Sequence, residues 1–149
     1  MKKTSNETVY EKISDLTQGF QGLEKDGGSV KIKSGGFMDL SIERLYTVNG
    51  GFVLSMTHYF EQNGDLVPDP DMEIFISDAT RTAWAMVIQH STGHYAQGMK
   101  IENGQFFKAP RVQRDIQSFL GQWLRNLKAQ GFYKAPIGLV RKAKKAVSV

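Results

Sequence analysis

Residues 52–77 read FVLSMTHYFEQNGDLVPDPDMEIFIS, and their pattern decides the fold class. Phe52, Leu54, Met56, His58 and Phe60 recur at every second position, with Ser55 and Thr57 between them. A period of two belongs to a strand with one apolar face. Met72, Ile74 and Ile76 alternate with Glu73, Phe75 and Ser77 and predict a second strand. Between them, Asn63-Gly64 is a turn dipeptide, because both residues accept positive φ at little steric cost. Pro68 and Pro70 remove ladder donors and push Val67 and Asp69 toward extended backbone. Residues 62–71 therefore read as a stiffened loop, too long for a two-residue hairpin, joining antiparallel strands. Loops of that kind often carry function.

The same reading extends in both directions. Upstream, Val30 to Lys33 predicts a short edge strand whose lysines discourage edge pairing. Met38, Leu40 and Ile42 alternate with polar residues up to Tyr46, and Asn49-Gly50-Gly51 turns that strand into the next. Downstream, Trp84, Met86, Ile88 and His90 are expected on one face of a further strand, and Tyr95 to Ile101 predicts the last. Connections this short favour antiparallel neighbours.

Helices bracket the strands. Thr4 and Glu7 have capping-box spacing, and Val9, Ile13, Leu16 and Phe20 recur at three and four, which predicts a helix over 6–23. After Pro110, which suits a first helical turn, Val112, Ile116, Phe119, Leu120, Trp123, Leu124 and Leu127 form one broad apolar face. Gln117, Gln122, Arg114 and Arg125 fall mainly elsewhere, and Gly131 is placed for a left-handed cap. An apolar sheet face needs a covering layer. The expectation is an α+β two-layer sandwich: an antiparallel meander of five or six strands with the N-terminal and C-terminal helices on one face. Residues 1–132 make one domain, and 133–149 a basic tail, partly disordered.

Composition narrows the function classes. A chain of 149 residues with 40% hydrophobic and 23% charged content is ordinary for a globular protein. It has no cysteine, which excludes disulfides, thiolate catalysis and Cys-ligated metal sites. No apolar run approaches a membrane span. Polar Thr4-Ser5-Asn6-Glu7 stands where a signal peptide needs its apolar core, so a cytoplasmic location is expected. Lys134, Arg141, Lys142, Lys144 and Lys145 carry five charges against a net +4 for the whole chain, which leaves residues 1–131 near −1. The basic character belongs to the tail. Those five cations, with Tyr133 for stacking, are the candidate nucleic-acid contacts; the plainer alternative is a solvated end.

The candidate binding residues are His58, Tyr59, Glu61, Asn63, Asp65, Asp69, Asp71 and Glu73. The acids in this run have no Lys or Arg among them. Carboxylates so close suit a hard cation, but their spacing departs from the calcium-loop pattern, and turn chemistry explains them more simply. His90 and His94, with His58 from a neighbouring strand, approach a zinc ligand set, yet Ser91-Thr92-Gly93 breaks any helix between them. A pairing of His58 with Glu61 or Asp65 offers acid–base chemistry, but there is no G-x-S-x-G elbow and no complete constellation. No catalytic residue, metal or cofactor is assigned.

The run His58-Tyr59-Phe60-Glu61-Gln62-Asn63-Gly64-Asp65-Leu66, followed by Asp69-Pro70-Asp71-Met72, resembles a family of small uncharacterised bacterial proteins with an HYxEQNGDLxxDPxM signature. Such proteins are often found on plasmids and conjugative elements. Residues 119–128 resemble that family's closing helix, and the likeness covers most of 37–132. It implies a bacterial accessory protein and supplies no activity. The leading expectation is a non-catalytic binding or interaction module that uses the acidic 61–73 stretch on a protein partner. The alternatives are a nucleic-acid-associated protein acting through its tail and a metal-dependent hydrolase. No membrane partner is expected, and an open sheet edge is compatible with a monomer or a homodimer.

Overall fold

The computed structural model describes residues 2–48 and 50–140, with Glu61 and Leu66 described by backbone alone. Asn49 of the expected hairpin turn lies outside the described residues, as do Arg141, Lys142, Lys144 and Lys145 of the tail. The elements run α1 (Ser5–Leu16), β1 (Ser29–Ile32), β2 (Leu40–Val48), β3 (Gly51–Gln62), β4 (Asp65–Ser77), β5 (Thr82–Gln89), β6 (Tyr95–Gln97), β7 (Met99–Glu102), β8 (Gln105–Lys108), α2 (Pro110–Ala129), a 3-10 turn (Phe132–Lys134) and β9 (Ile137–Leu139). The fold class is the expected one. A meander from β1 to β6 forms an antiparallel sheet with α1 and α2 on one face. Among the described residues no helix is long and apolar enough to cross a membrane.

The sheet has seven strands rather than five or six, because β9 adds to the free edge of β1 in the order β6-β5-β4-β3-β2-β1-β9. Residues 133–140, read from sequence as the start of the tail, thus continue the fold, with Val30 opposite Leu139 and Ile32 opposite Ile137. The expected last strand splits at Gly98. A Cβ there would lie 2.5 Å from the Gln113 Cα, so the chain passes against the α2 backbone and leaves the sheet. Beyond it β7 pairs with β8 in a separate two-stranded ribbon.

The 62–71 stretch is not a loop. Asn63 (φ 52°) and Gly64 (φ 85°) make a two-residue turn, and pairing resumes at once with Gln62 opposite Asp65. Two left-handed residues in succession match the twist of a hairpin. The prolines are tolerated for two reasons. Between Thr57↔Asp71 and Tyr59↔Pro68 the register shifts, leaving Asp69 and Pro70 opposite the single residue His58. Moreover, β5 flanks β4 only from Asp71 onward, so residues 65–70 form an edge where a missing N–H costs no ladder bond. The Asp69–Pro70 peptide is cis.

The main core lies between helices and sheet. Ile13 and Leu16 of α1 and Leu120, Leu124 and Leu127 of α2 bury against Ile42, Leu54, Met56, Met72 and Ile74. The capping box forms as predicted, with the Glu7 N–H donating to Thr4 Oγ1 at 3.2 Å and the Thr4 N–H to Glu7 Oε1 at 2.9 Å. The first helix stops at Leu16 rather than near 23, because Thr17 Oγ1 bonds back to the Ile13 carbonyl at 2.8 Å and accepts from the Phe20 N–H at 2.9 Å. Gln117, expected away from the core, is buried with Gln113 against β5.

A smaller core forms on the opposite, outer face from Val53, Phe75, Met86 and Met99. It exists because strand phase slips. The register shift between Glu73 and Ile74 against β5 places Trp84 and Met86 outward and Ile88 inward, where simple alternation put all three together.

Candidate functional site

The sheet separates the candidate residues. His58 turns inward and is 7% exposed, its ring 5.4 Å from that of Trp123 and 5.7 Å from that of Phe132. Its Nδ1 lies 3.2 Å from the Asp39 carbonyl oxygen. Burial pushes the imidazole pKa down, more than the Asp39 carbonyl and carboxylate raise it. This is a neutral packing histidine. Tyr59 is exposed, and Asn63 and Asp65 lie exposed at the hairpin tip. The Glu61 side chain lies outside the described residues.

The remaining acids are divided between two tasks. Asp69 lies 3.0 Å from His90 Nδ1 and accepts from Ser91 Oγ at 2.9 Å, which makes it a tie between β4 and the end of β5. Asp71 accepts from Thr57 Oγ1 at 3.0 Å. Glu73, two residues on and facing the same way, is half-buried; burial first and the Asp71 charge second push its carboxyl pKa up. Asp71 and Glu73 line a polar groove of about 180 Å³ with Gln89, Tyr95 and Gln97. The histidines do not converge: the rings of His90 and His94 are 5.6 Å apart, while Phe119 and Trp123 stand between them and His58. Among the described residues no three His, Asp or Glu side chains are placed to hold one metal ion.

The better-formed site lies further along the same face of β4. Side chains at i, i+2 and i+4 share a face, so Asp71, Glu73, Phe75 and Ser77 stand in a row that passes from the acidic groove into an apolar cleft of about 410 Å³. The β7–β8 ribbon forms the cleft's other side. Phe75 and Phe106 meet with ring centroids 4.9 Å apart, Trp84 and Met99 complete the apolar wall, and Lys108 Nζ sits 4.1 Å above the Trp84 ring. A row of hydroxyls edges it. Trp84 Nε1 donates to Thr82 Oγ1 at 3.0 Å, the Thr82 and Thr80 hydroxyls are 2.7 Å apart, and Thr80 Oγ1 donates to Ser77 Oγ at 3.0 Å.

A third cavity, about 270 Å³, lies on the helix side beside His58, Phe119 and Trp123. Trp123 Nε1 there is buried without a hydrogen-bond partner among the described residues.

None of the cleft residues was among the sequence candidates. One signal was available: Asn103-Gly104 between Met99-Lys100-Ile101 and Phe106-Phe107-Lys108 has the form of a hairpin. Reading it as a hairpin produces the ribbon and with it one wall of the cleft.

A family model described as "Domain of unknown function (DUF6908)" matches residues 9–133. The matched span begins within α1 and ends within the 3-10 turn, wider than the 37–132 over which the resemblance was expected. No curated protein and no solved structure matches the chain.

Proposed function

We propose that this chain, which belongs to the DUF6908 family, is a non-catalytic binding module whose ligand enters the cleft between the β7–β8 ribbon and the outer face of the sheet. The observation that carries this reading is the cleft itself: about 410 Å³, walled by Phe75, Trp84, Met99 and Phe106. Small-molecule sites are concave, mostly apolar and of that size, with a few polar groups that fix orientation. The acidic 61–73 stretch contributes its far end. Asp71 and Glu73 line the adjoining polar groove on the same β4 face, whereas Asp69 is occupied by His90 and Ser91, and His58 is packed under α2. The hydroxyls beside the cleft bond to one another and to an indole rather than to a basic partner, which fits recognition better than nucleophilic chemistry.

The test is a backbone amide shift titration with a neutral bicyclic arene, naphthalene-2-methanol. Shifts confined to the outer side of β4 and β5 and to the ribbon, lost in Phe106→Ala, are expected. Shifts absent, or clustered around His58 and Trp123 instead, would remove the cleft from consideration.

A further inference from the structure

We propose, on the basis of the cleft reading, that the ligand is a flat apolar molecule bearing a carboxylate, whose oxygens are received by the Lys108 ammonium and the Ser77 hydroxyl. The hydroxyl row directs one proton into the cleft. Each hydroxyl has one hydrogen to donate. The Thr80 hydroxyl proton goes to Ser77 Oγ, so the contact between Thr80 and Thr82 must use the Thr82 proton. Thr82 also accepts from the Trp84 indole, and Ser77 Oγ also accepts from the Thr80 N–H at 3.4 Å. Every proton in the row is thereby committed except the last, that of Ser77, which has no acceptor among the described residues. Ser77 lies directly opposite Thr82 and lines the cleft.

Charge points the same way. Lys108 is the charged side chain lining the cleft, and it has no carboxylate partner among the described residues. The neighbouring charges are engaged elsewhere. Lys100 pairs with Glu102 at 3.5 Å. Asp78 accepts from the Tyr10 hydroxyl at 3.2 Å, and Arg81 lies over the Tyr10 ring, both toward α1. An ammonium has three donors and no acceptor. The Trp84 ring face satisfies Lys108 electrostatically on one side and leaves donors for an anion on another. Glu73 and Asp71 sit on the same β4 face beyond Phe75 and would repel an anionic head, so they orient it toward Ser77. The ring system then lies against the paired Phe75 and Phe106 rings and the Trp84 side of the cleft.

The experiment compares naphthalene-2-carboxylate with naphthalene-2-methanol, which has the same rings and a neutral head, on the wild-type chain, Lys108→Gln and Ser77→Ala. Lys108 is exposed, so its replacement leaves the core intact, and unchanged thermal unfolding verifies this for both variants. The wild type is expected to prefer the carboxylate about tenfold, as charge-assisted hydrogen bonds imply. Lys108→Gln should erase the preference while keeping alcohol binding, and Ser77→Ala should reduce it. Equal binding of acid and alcohol to the wild type, or a preference that survives Lys108→Gln, overturns the carboxylate assignment and leaves the cleft reading standing. Failure of both compounds to bind in the cleft overturns the two together.

Discussion

Asp69 Oδ1 lies 3.0 Å from His90 Nδ1, joining a strand segment that β5 does not flank to the residue just past the end of β5. Ser91 Oγ donates to the other carboxylate oxygen at 2.9 Å. Burial pushes the Asp69 carboxyl up, but the bonds from Ser91 and His90 together outweigh it and hold the pKa below the usual carboxylate range. A depressed folded-state pKa contributes stability that is present above the unfolded-state pKa and lost as pH falls through the folded one. Asp69→Ala should therefore cost about 1–2 kcal/mol at neutral pH, and the difference from wild type should shrink in acid. Urea unfolding at the two pH values checks this. Equal stability of the two proteins at neutral pH would make the tie ornamental.

His58 gives a pH dependence in a different window. Its pKa is lowered, by burial first, with Asp39 pulling the other way. The unfolded chain therefore takes up a proton near the ordinary imidazole value of about 6.5 while the native state still refuses it. Stability must fall as the pH drops through that range. His58→Leu conserves an apolar side chain between Trp123 and Phe132 and removes the proton, so its denaturation midpoint should change less between about pH 7.5 and about pH 5.5. The comparison isolates His58 because His90 and His94 remain in both proteins. A variant with the wild-type slope would show that the acid sensitivity arises elsewhere.

The elements that were legible in the sequence are those whose pattern is local. The alternation Phe52, Leu54, Met56, His58 describes the inner face of β3, and the seven apolar positions from Val112 to Leu127 mark α2. Thr4 and Glu7 form their capping box from residues three apart. What could not be read depends on a partner strand. Leu45, Met86 and the Asp69-Pro70 pair sit where registers shift. Each shift reverses which face the following residues occupy, so Trp84 and Ile88, expected on one face, lie on opposite faces. β9 is three residues long and acquires a partner only because the β1 edge is open. The cleft is the sum of such events: the Met86 phase slip, the departure of the chain at Gly98 and the return of β8.

The glutamines of α2 show how an amphipathic pattern can hide a polar role in the core. Gln113 and Gln117, one turn apart, are 6% and 5% exposed. The Ala85 N–H donates to Gln117 Oε1 at 2.8 Å, Gln117 Nε2 donates to the Ala83 carbonyl at 3.0 Å, and Gln113 Nε2 donates to the Ala85 carbonyl at 3.1 Å and to Gln117 Oε1 at 2.9 Å. β6 pairs only with Val87 to Gln89. The helix therefore supplies side-chain amides where Ala83 and Ala85 lack a neighbouring strand, closing an edge that would otherwise be buried unpaired. Gln117→Leu keeps the volume but strands the Ala85 N–H, the Ala83 carbonyl and half of the Gln113 amide, and should cost about 2–3 kcal/mol. Gln122→Leu, on the exposed face where Gln122 bonds to Asn126 and Arg125, should stay within about 0.5 kcal/mol. Because the two buried amides share one network, Gln113→Leu with Gln117→Leu should cost less than the two single changes added. Denaturant midpoints of the four variants decide the point: a Gln117→Leu protein as stable as Gln122→Leu would mean that the β5 edge does not need the clamp.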